Sequence, residues 1–219
     1  MNALEIALFW IMTLGAIAFF AWTMRQRLAT LKAGLPDNRF DQPWVRLKGV
    51  FTLALLQKRM VRDKYAGFYH ILIFWGFCVL SLRSIGLVLE GLFPAFHMTE
   101  ALGRFGYGYQ FTKDIFEVLV LLGLGLAAWR RLVVKPWRLE NSWDAWATLS
   151  LIGALMVTDL LADAAYIWLH NPAWKSWAPV SLALAQPLRD LRRPALTVRY
   201  KTMWWRHLTI LYFFANFLP

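Results

Sequence analysis

Five long apolar runs, each bounded by polar or basic residues, divide the chain at about 4–23, 66–90, 111–129, 143–169 and 203–219. An α-helix rises about 1.5 Å per residue and bilayer hydrocarbon is about 30 Å thick, so about 20 apolar residues cross it. Backbone in hydrocarbon must satisfy its own hydrogen bonds, and runs of this length do so as helices. The pattern therefore predicts an all-α fold, a polytopic membrane bundle of five transmembrane helices forming one domain over 1–219. The run at 4–23 has no basic stretch before it and no small-residue cleavage pattern after it, so it reads as a retained anchor. Residues 33–43 are turn-like, and 44–60 mixes apolar and basic residues as an interfacial helix does. A Gly- and aromatic-rich loop is expected after 91–94. Prolines at 172, 179, 187 and 194 exclude a long continuous helix between 170 and 201. The last run reaches only about 25 Å before the sequence ends in FFANFLP, which predicts the N-terminal fragment of a longer chain.

Composition agrees with the pattern. Of 219 residues, 59% are hydrophobic and 17% charged, and the mean hydropathy is +0.44, outside the balance of a soluble domain. The net charge of +11 comes from basic residues clustered between the runs, as in membrane-flanking loops, so the expected partner is the lipid bilayer and no nucleic acid. Arg25, Arg27, Lys32, Arg39, Arg46, Lys48, Lys58, Arg59, Arg62 and Lys64 all follow the first run. The positive-inside rule makes that loop cytoplasmic, with the N-terminus outside a multi-pass inner (plasma) membrane protein. A single cysteine, Cys78, excludes a disulfide framework and any zinc or iron-sulfur site made within this chain.

Several polar residues sit inside apolar runs. His70 lies four residues into the second run and His207 four into the last. An imidazole in hydrocarbon either bonds another helix or binds something, and haem iron is its familiar apolar-phase partner. Arg83, Asp159 and Asp163 carry charge into the second and fourth runs. Asp159 and Asp163 are one turn apart on one face, and Arg83 lies at matching depth. Pairing with Arg83 in a polar pocket competes with Arg83 snorkelling to headgroups.

The stretch AGLPDNRFDQPWVRLKGVFTLALLQKRMVRDKYAGFYHILIFWGF, with EGLFP, RRLVVKPWRLENSWDAW and WWRHLTILYFFANFLP, resembles the membrane domain of heterodisulfide-reductase-related iron-sulfur oxidoreductases. These include electron-transfer-flavoprotein:menaquinone oxidoreductases. That domain is similar to the gamma subunit of respiratory nitrate reductase, a five-helix cytochrome b. The resemblance implies one or two b haems held by histidines of the second and fifth spans, with menaquinone as substrate. It implies iron-sulfur clusters on a cytoplasmic domain or subunit outside this stretch, and electron-transfer flavoprotein as a partner. His70 matches the second-span ligand and His207 the first of two fifth-span ligands. The other fifth-span ligand falls near position 225, past the end of the sequence. The second ligand of span two falls at Leu80, which binds no iron.

The two histidines are therefore expected on different irons. With His207 placed at the external end, its candidate partners are His170 and His97. Arg189, Arg192 and Arg193 are candidates for haem propionates or lipid headgroups. The resulting expectation is part of a quinone-linked oxidoreductase, with the quinone beside Arg83, Asp159 and Asp163. The alternative is a transporter or passive anchor with a polar path through the same three residues.

Overall fold

A computed structural model describes residues 2–32, 34, 41–137 and 139–217. Most of the turn expected over 33–43, Arg138 and the end of the chain at 218–219 lie outside the described residues. Among the described residues every regular element is helical. The helices are α1 (Ala3–Lys32), α2 (Pro43–Val50), α3 (Lys64–Leu92), α4 (Met98–Ala101), α5 (Gly103–Trp129), α6 (Trp143–His170), α7 (Pro179–Ala185) and α8 (Arg193–Phe217). Five-residue π turns extend α2 and α5 at Phe51–Leu55 and Arg130–Val134.

Local chemistry sets these limits. Asp63 caps α3, its side chain accepting from the Ala66 N–H at 3.1 Å. Pro43 and Pro179 occupy the first turns of α2 and α7, where a missing N–H costs nothing. Asn171 ends α6 in the left-handed conformation, at φ 48°.

Helices α1, α3 and α6 are long and apolar enough to cross a membrane. The most apolar stretch of α1 has mean hydropathy 2.0, yet only 11% of it is buried by protein. An exposed apolar helix of this length suits a lipid surrounding.

Two boundaries differ from expectation. α5 begins at Gly103, eight residues before 111, where a loop was expected. α8 begins at Arg193, ten residues before 203, with Pro194 in its first turn, where proline is tolerated. Both early segments are charged or polar, so hydropathy ends there while the helix does not. The break expected between 170 and 201 is present as two short 3₁₀ turns and α7.

Contacts give the course of the bundle. Lys201 pairs with Glu5 at 2.7 Å, and Thr13 Oγ1 meets Tyr212 Oη at 2.7 Å, so α1 and α8 run in the same direction. Phe77 meets Phe214 at 6.4 Å while Gly91 packs on Phe9, so α3 runs oppositely. Tyr109 donates to the Val79 carbonyl at 3.1 Å, which turns α5 back. Trp143 meets Phe217 at 6.0 Å, setting α6 antiparallel to α8. One end of the bundle, here the mouth, therefore holds the starts of α1, α5 and α8 and the ends of α3 and α6.

Candidate functional site

Three helices bring charge to one level inside the bundle. On α3, Arg83 Nε donates to Asp159 Oδ1 at 3.1 Å, and Nη1 to Glu90 Oε1 at 3.1 Å. On α5, Lys113 Nζ reaches Asp159 Oδ2 at 2.7 Å, Asp163 Oδ2 at 2.8 Å and Glu117 Oε1 at 3.3 Å. Gln110 Nε2 donates to Asp163 Oδ2 at 2.5 Å. Lys113 and Glu117 have no exposure and Asp159 has 1%.

The placement follows from helix geometry. Gln110, Lys113 and Glu117 stand three and four residues apart on one face of α5, and Asp159 and Asp163 do so on α6. A buried charge persists only when it is paired and hydrogen-bonded.

Arg83 meets Asp159 as the sequence suggested, while Asp163 goes to Lys113 and Gln110. Sequence reasoning missed Lys113, Glu117, Glu90 and Gln110. The signal was available, because Lys113 and Glu117 interrupt the run at 111–129 as Arg83 interrupts the second.

This charged layer separates two cavities. On one side lies an apolar cavity of about 230 Å³, whose walls include His70, Phe77, Leu80, His207, Phe214 and Arg83. On the other is the mouth cavity, about 320 Å³, with Glu5, Glu90, His97, His170, Arg193 and Lys201 in its walls. A small cavity of about 30 Å³ joins the mouth side to the layer. It touches Glu90, His97, Tyr166 and Tyr200 of the mouth, and Arg83, Gln110 and Asp163 of the layer.

His207 is 5% exposed. Its Nδ1 lies 3.1 Å from the Leu155 carbonyl oxygen and 3.1 Å from Thr158 Oγ1. A carbonyl only accepts, so Nδ1 carries the hydrogen and Nε2 keeps its lone pair. His70 Nε2 lies 3.2 Å from Gln57 Oε1.

Both imidazoles border the apolar cavity at different levels. From the Phe77–Phe214 contact, His70 is seven residues toward the far end and His207 seven toward the mouth. At 1.5 Å per residue the pair is separated by about 21 Å along the axis, too far to share one iron. Leu80 shares this cavity and lies within about a turn of the level of His207.

The chemistry of the side chains bears on the b haem that the resemblance implies. An apolar cavity borders both imidazoles, and His207 has one ring N–H held by a backbone carbonyl, as metal-bound histidines do, whereas His70 Nε2 is turned to Gln57 Oε1.

The other sequence candidates fall elsewhere. His170 stacks on Tyr166 at 4.4 Å and His97 meets the same ring at 5.6 Å, both at the mouth. The structure does not bring them to His207, because α8 starts at Arg193 and carries His207 to mid-bundle beside Thr158. Thr158 is twelve residues, about 18 Å, from His170 along α6. Arg193 borders the mouth cavity, whereas Arg189 and Arg192 are exposed between α7 and α8. Cys78 is half-buried in α3. Asp114, fully buried, accepts from the Val180 and Ser181 N–H groups at 2.6 and 3.0 Å and so tethers α7 to α5.

Over 213 residues the chain is 30% identical to the probable iron-sulfur-binding oxidoreductase FadF of Bacillus subtilis (strain 168), covering 97% of this chain and 30% of that protein. Over 193 residues it is 26% identical to an EtfAB:quinone oxidoreductase of Syntrophomonas wolfei subsp. wolfei, covering 83% of this chain and 26% of that protein. The chain thus spans less than a third of the length of each relative. No protein-family model and no solved structure matches it.

Proposed function

We propose that this chain is the membrane part of a quinone-linked iron-sulfur oxidoreductase. In this reading five helices, α1, α3, α5, α6 and α8, cross the inner membrane and carry b-type haem. They link the menaquinone pool to iron-sulfur clusters on a cytoplasmic portion or partner, with electron-transfer flavoprotein as redox partner. Similarity to two oxidoreductases, one named for iron-sulfur binding and one for a quinone, supports the reaction class. The observation that carries the haem is His207, buried at the apolar cavity with Nδ1–H on a carbonyl and Nε2 free.

His207 and His70 would hold the iron at separate levels, each with a second ligand supplied from outside this stretch. When bound, haem supplies one-electron exchange. Phe74, Phe77 and Phe214 keep water from the cavity, and Arg83, held by Asp159 and Glu90, closes its mouth-side wall. Quinone, a small planar ring with carbonyl acceptors, belongs at the mouth side of the charged layer. Arg25, Arg27 and Lys32 close α1, Arg46, Lys48, Lys58, Arg59 and Arg62 lie between α1 and α3, and Lys64 opens α3 at the far end, which supports a cytoplasmic far end and an outside N-terminus.

The test is a reduced-minus-oxidised absorption spectrum of the full-length protein in liposomes. A b-type band is expected, and both His207→Ala and His70→Ala should lose part of it. A protein with no such band would overturn the reading in favour of a transporter or anchor built on Arg83, Asp159 and Asp163.

A further inference from the structure

The buried charges do not balance as ions. Two cations, Arg83 and Lys113, face four carboxyl groups, Glu90, Glu117, Asp159 and Asp163. Three of the four have close cationic partners. Glu90 has Arg83 at 3.1 Å, Asp159 has Lys113 at 2.7 Å and Arg83 at 3.1 Å, and Asp163 has Lys113 at 2.8 Å. Glu117 has only the longest contact, 3.3 Å to Lys113 through Oε1. Its Oε2 is buried without a hydrogen-bond partner, and its residue has no exposure.

The groups facing it are Lys113 from its own helix, Asp159 and Asp163 from α6, and Arg83 with Glu90 behind them on α3; His207 of α8 lies beyond Asp159. Glu117 and Asp159 accept from the same ammonium, Lys113 Nζ, at 3.3 and 2.7 Å, so the two carboxyl groups stand side by side. Two bare carboxylates so placed repel each other, whereas one hydrogen on the unpartnered Glu117 Oε2 removes the charge that causes the repulsion.

We propose that Glu117 is a proton-exchanging acid, holding a proton on Oε2 in the resting protein and exchanging it with water in the mouth cavity. The step is a proton transfer alone. The Glu117 O–H bond breaks, the hydrogen passes to Asp159 and then along Asp163 and Glu90, a mouth water becomes hydronium, and Glu117 is left as a carboxylate. The reverse step restores it. The route is short and polar. Lys113 Nζ bridges Asp159 to Asp163, and Asp163 borders the cavity of about 30 Å³ that Glu90 shares with the mouth. That volume holds about one water.

This inference stands apart from the haem reading, and its test needs neither haem nor quinone. Infrared difference spectra of the full-length protein in liposomes, exchanged between H₂O and D₂O at neutral pH, should show a protonated-carboxyl C=O band that shifts in D₂O. Glu117→Gln should remove it, and Glu117→Asp, which keeps the acid, should move it in frequency. Asp163→Asn and Glu90→Gln should keep the band and slow its exchange at least tenfold. No protonated-carboxyl band, a band that survives Glu117→Gln, or exchange unaffected by both path variants would each overturn the proposal.

Discussion

Arg83 of α3 and Asp159 of α6, 76 positions apart in sequence, meet at 3.1 Å with 12% and 1% side-chain exposure. Removing one partner of a buried pair leaves a charge that neither water nor lipid satisfies. Asp159→Asn should cost about 3–5 kcal/mol of stability, because it orphans one contact each of Arg83 and Lys113. Arg83→Met combined with Asp159→Asn should cost less than the sum of the two changes. Thermal unfolding of the purified variants in detergent measures both, and strict additivity would show that the two side chains are not coupled.

The helix that bears the free Nε2 holds it through α6. Thr158→Val removes one of two acceptors at His207 Nδ1 and leaves Leu155. If His207 ligates haem, loss of the hydroxyl that touches its Nδ1 should weaken haem retention by about 10–100-fold while the fold is kept. Haem titration into the apo form checks this, and unchanged affinity would exclude Thr158 as a positioning residue.

Close helix approach depends on glycines that meet side chains. A Cβ at Gly91 would run into the ring of Phe9, which is fully buried, and a Cβ at Gly76 would run into Val120. Gly91→Ala should cost about 1–3 kcal/mol, and Phe9→Leu on that background should recover part of it. At Gly106 the obstruction is the backbone carbonyl of Thr99, which no side-chain change relieves. Gly106→Ala should therefore resist rescue by any substitution at Thr99, as unfolding midpoints would reveal.

Asp63 does two jobs that substitution separates. Its carboxylate caps α3 and accepts from Arg130 Nη2 at 2.7 Å, with the Asp63 side chain 42% exposed. A pair that open contributes about 0–1 kcal/mol, and an N-cap about 0.5–2 kcal/mol. Asp63→Asn should be nearly silent and Asp63→Ala should lose about a further 1 kcal/mol. Equal effects would mean that the ion pair, not the cap, holds the start of α3.

The apolar stretches of α1, α3 and α6 were legible because lipid-facing helices advertise themselves by hydropathy. The limits of α5 and α8 were not, since Arg104, Arg199 and Lys201 lie toward the mouth, where hydropathy falls although the helical hydrogen bonds continue. The pairing of Arg83 with Asp159 could be read from matched depths within their runs. The share taken by Lys113 could not, because the sequence gives depth but not which of two cations a carboxylate will face. His207, expected at the external end, lies at mid-bundle for the same reason that α8 begins ten residues early.

The fully buried Lys113, Asp114 and Glu117 also bear on the order of assembly. In the five-span arrangement proposed above, α5 alone would carry two charged groups, Lys113 and Asp114, and the acid Glu117 into lipid, the charges at about 2.5–3.5 kcal/mol each near the centre on insertion scales. Their partners are Asp159 and Asp163 on α6 and the start of α7, all made after α5 on the ribosome. α5 must therefore wait at the translocon or the membrane surface until α6 and α7 have emerged. The chain then enters the bilayer as a hairpin, its third and fourth spans together, and a ribosome stalled before Trp143 should leave α5 exposed to water.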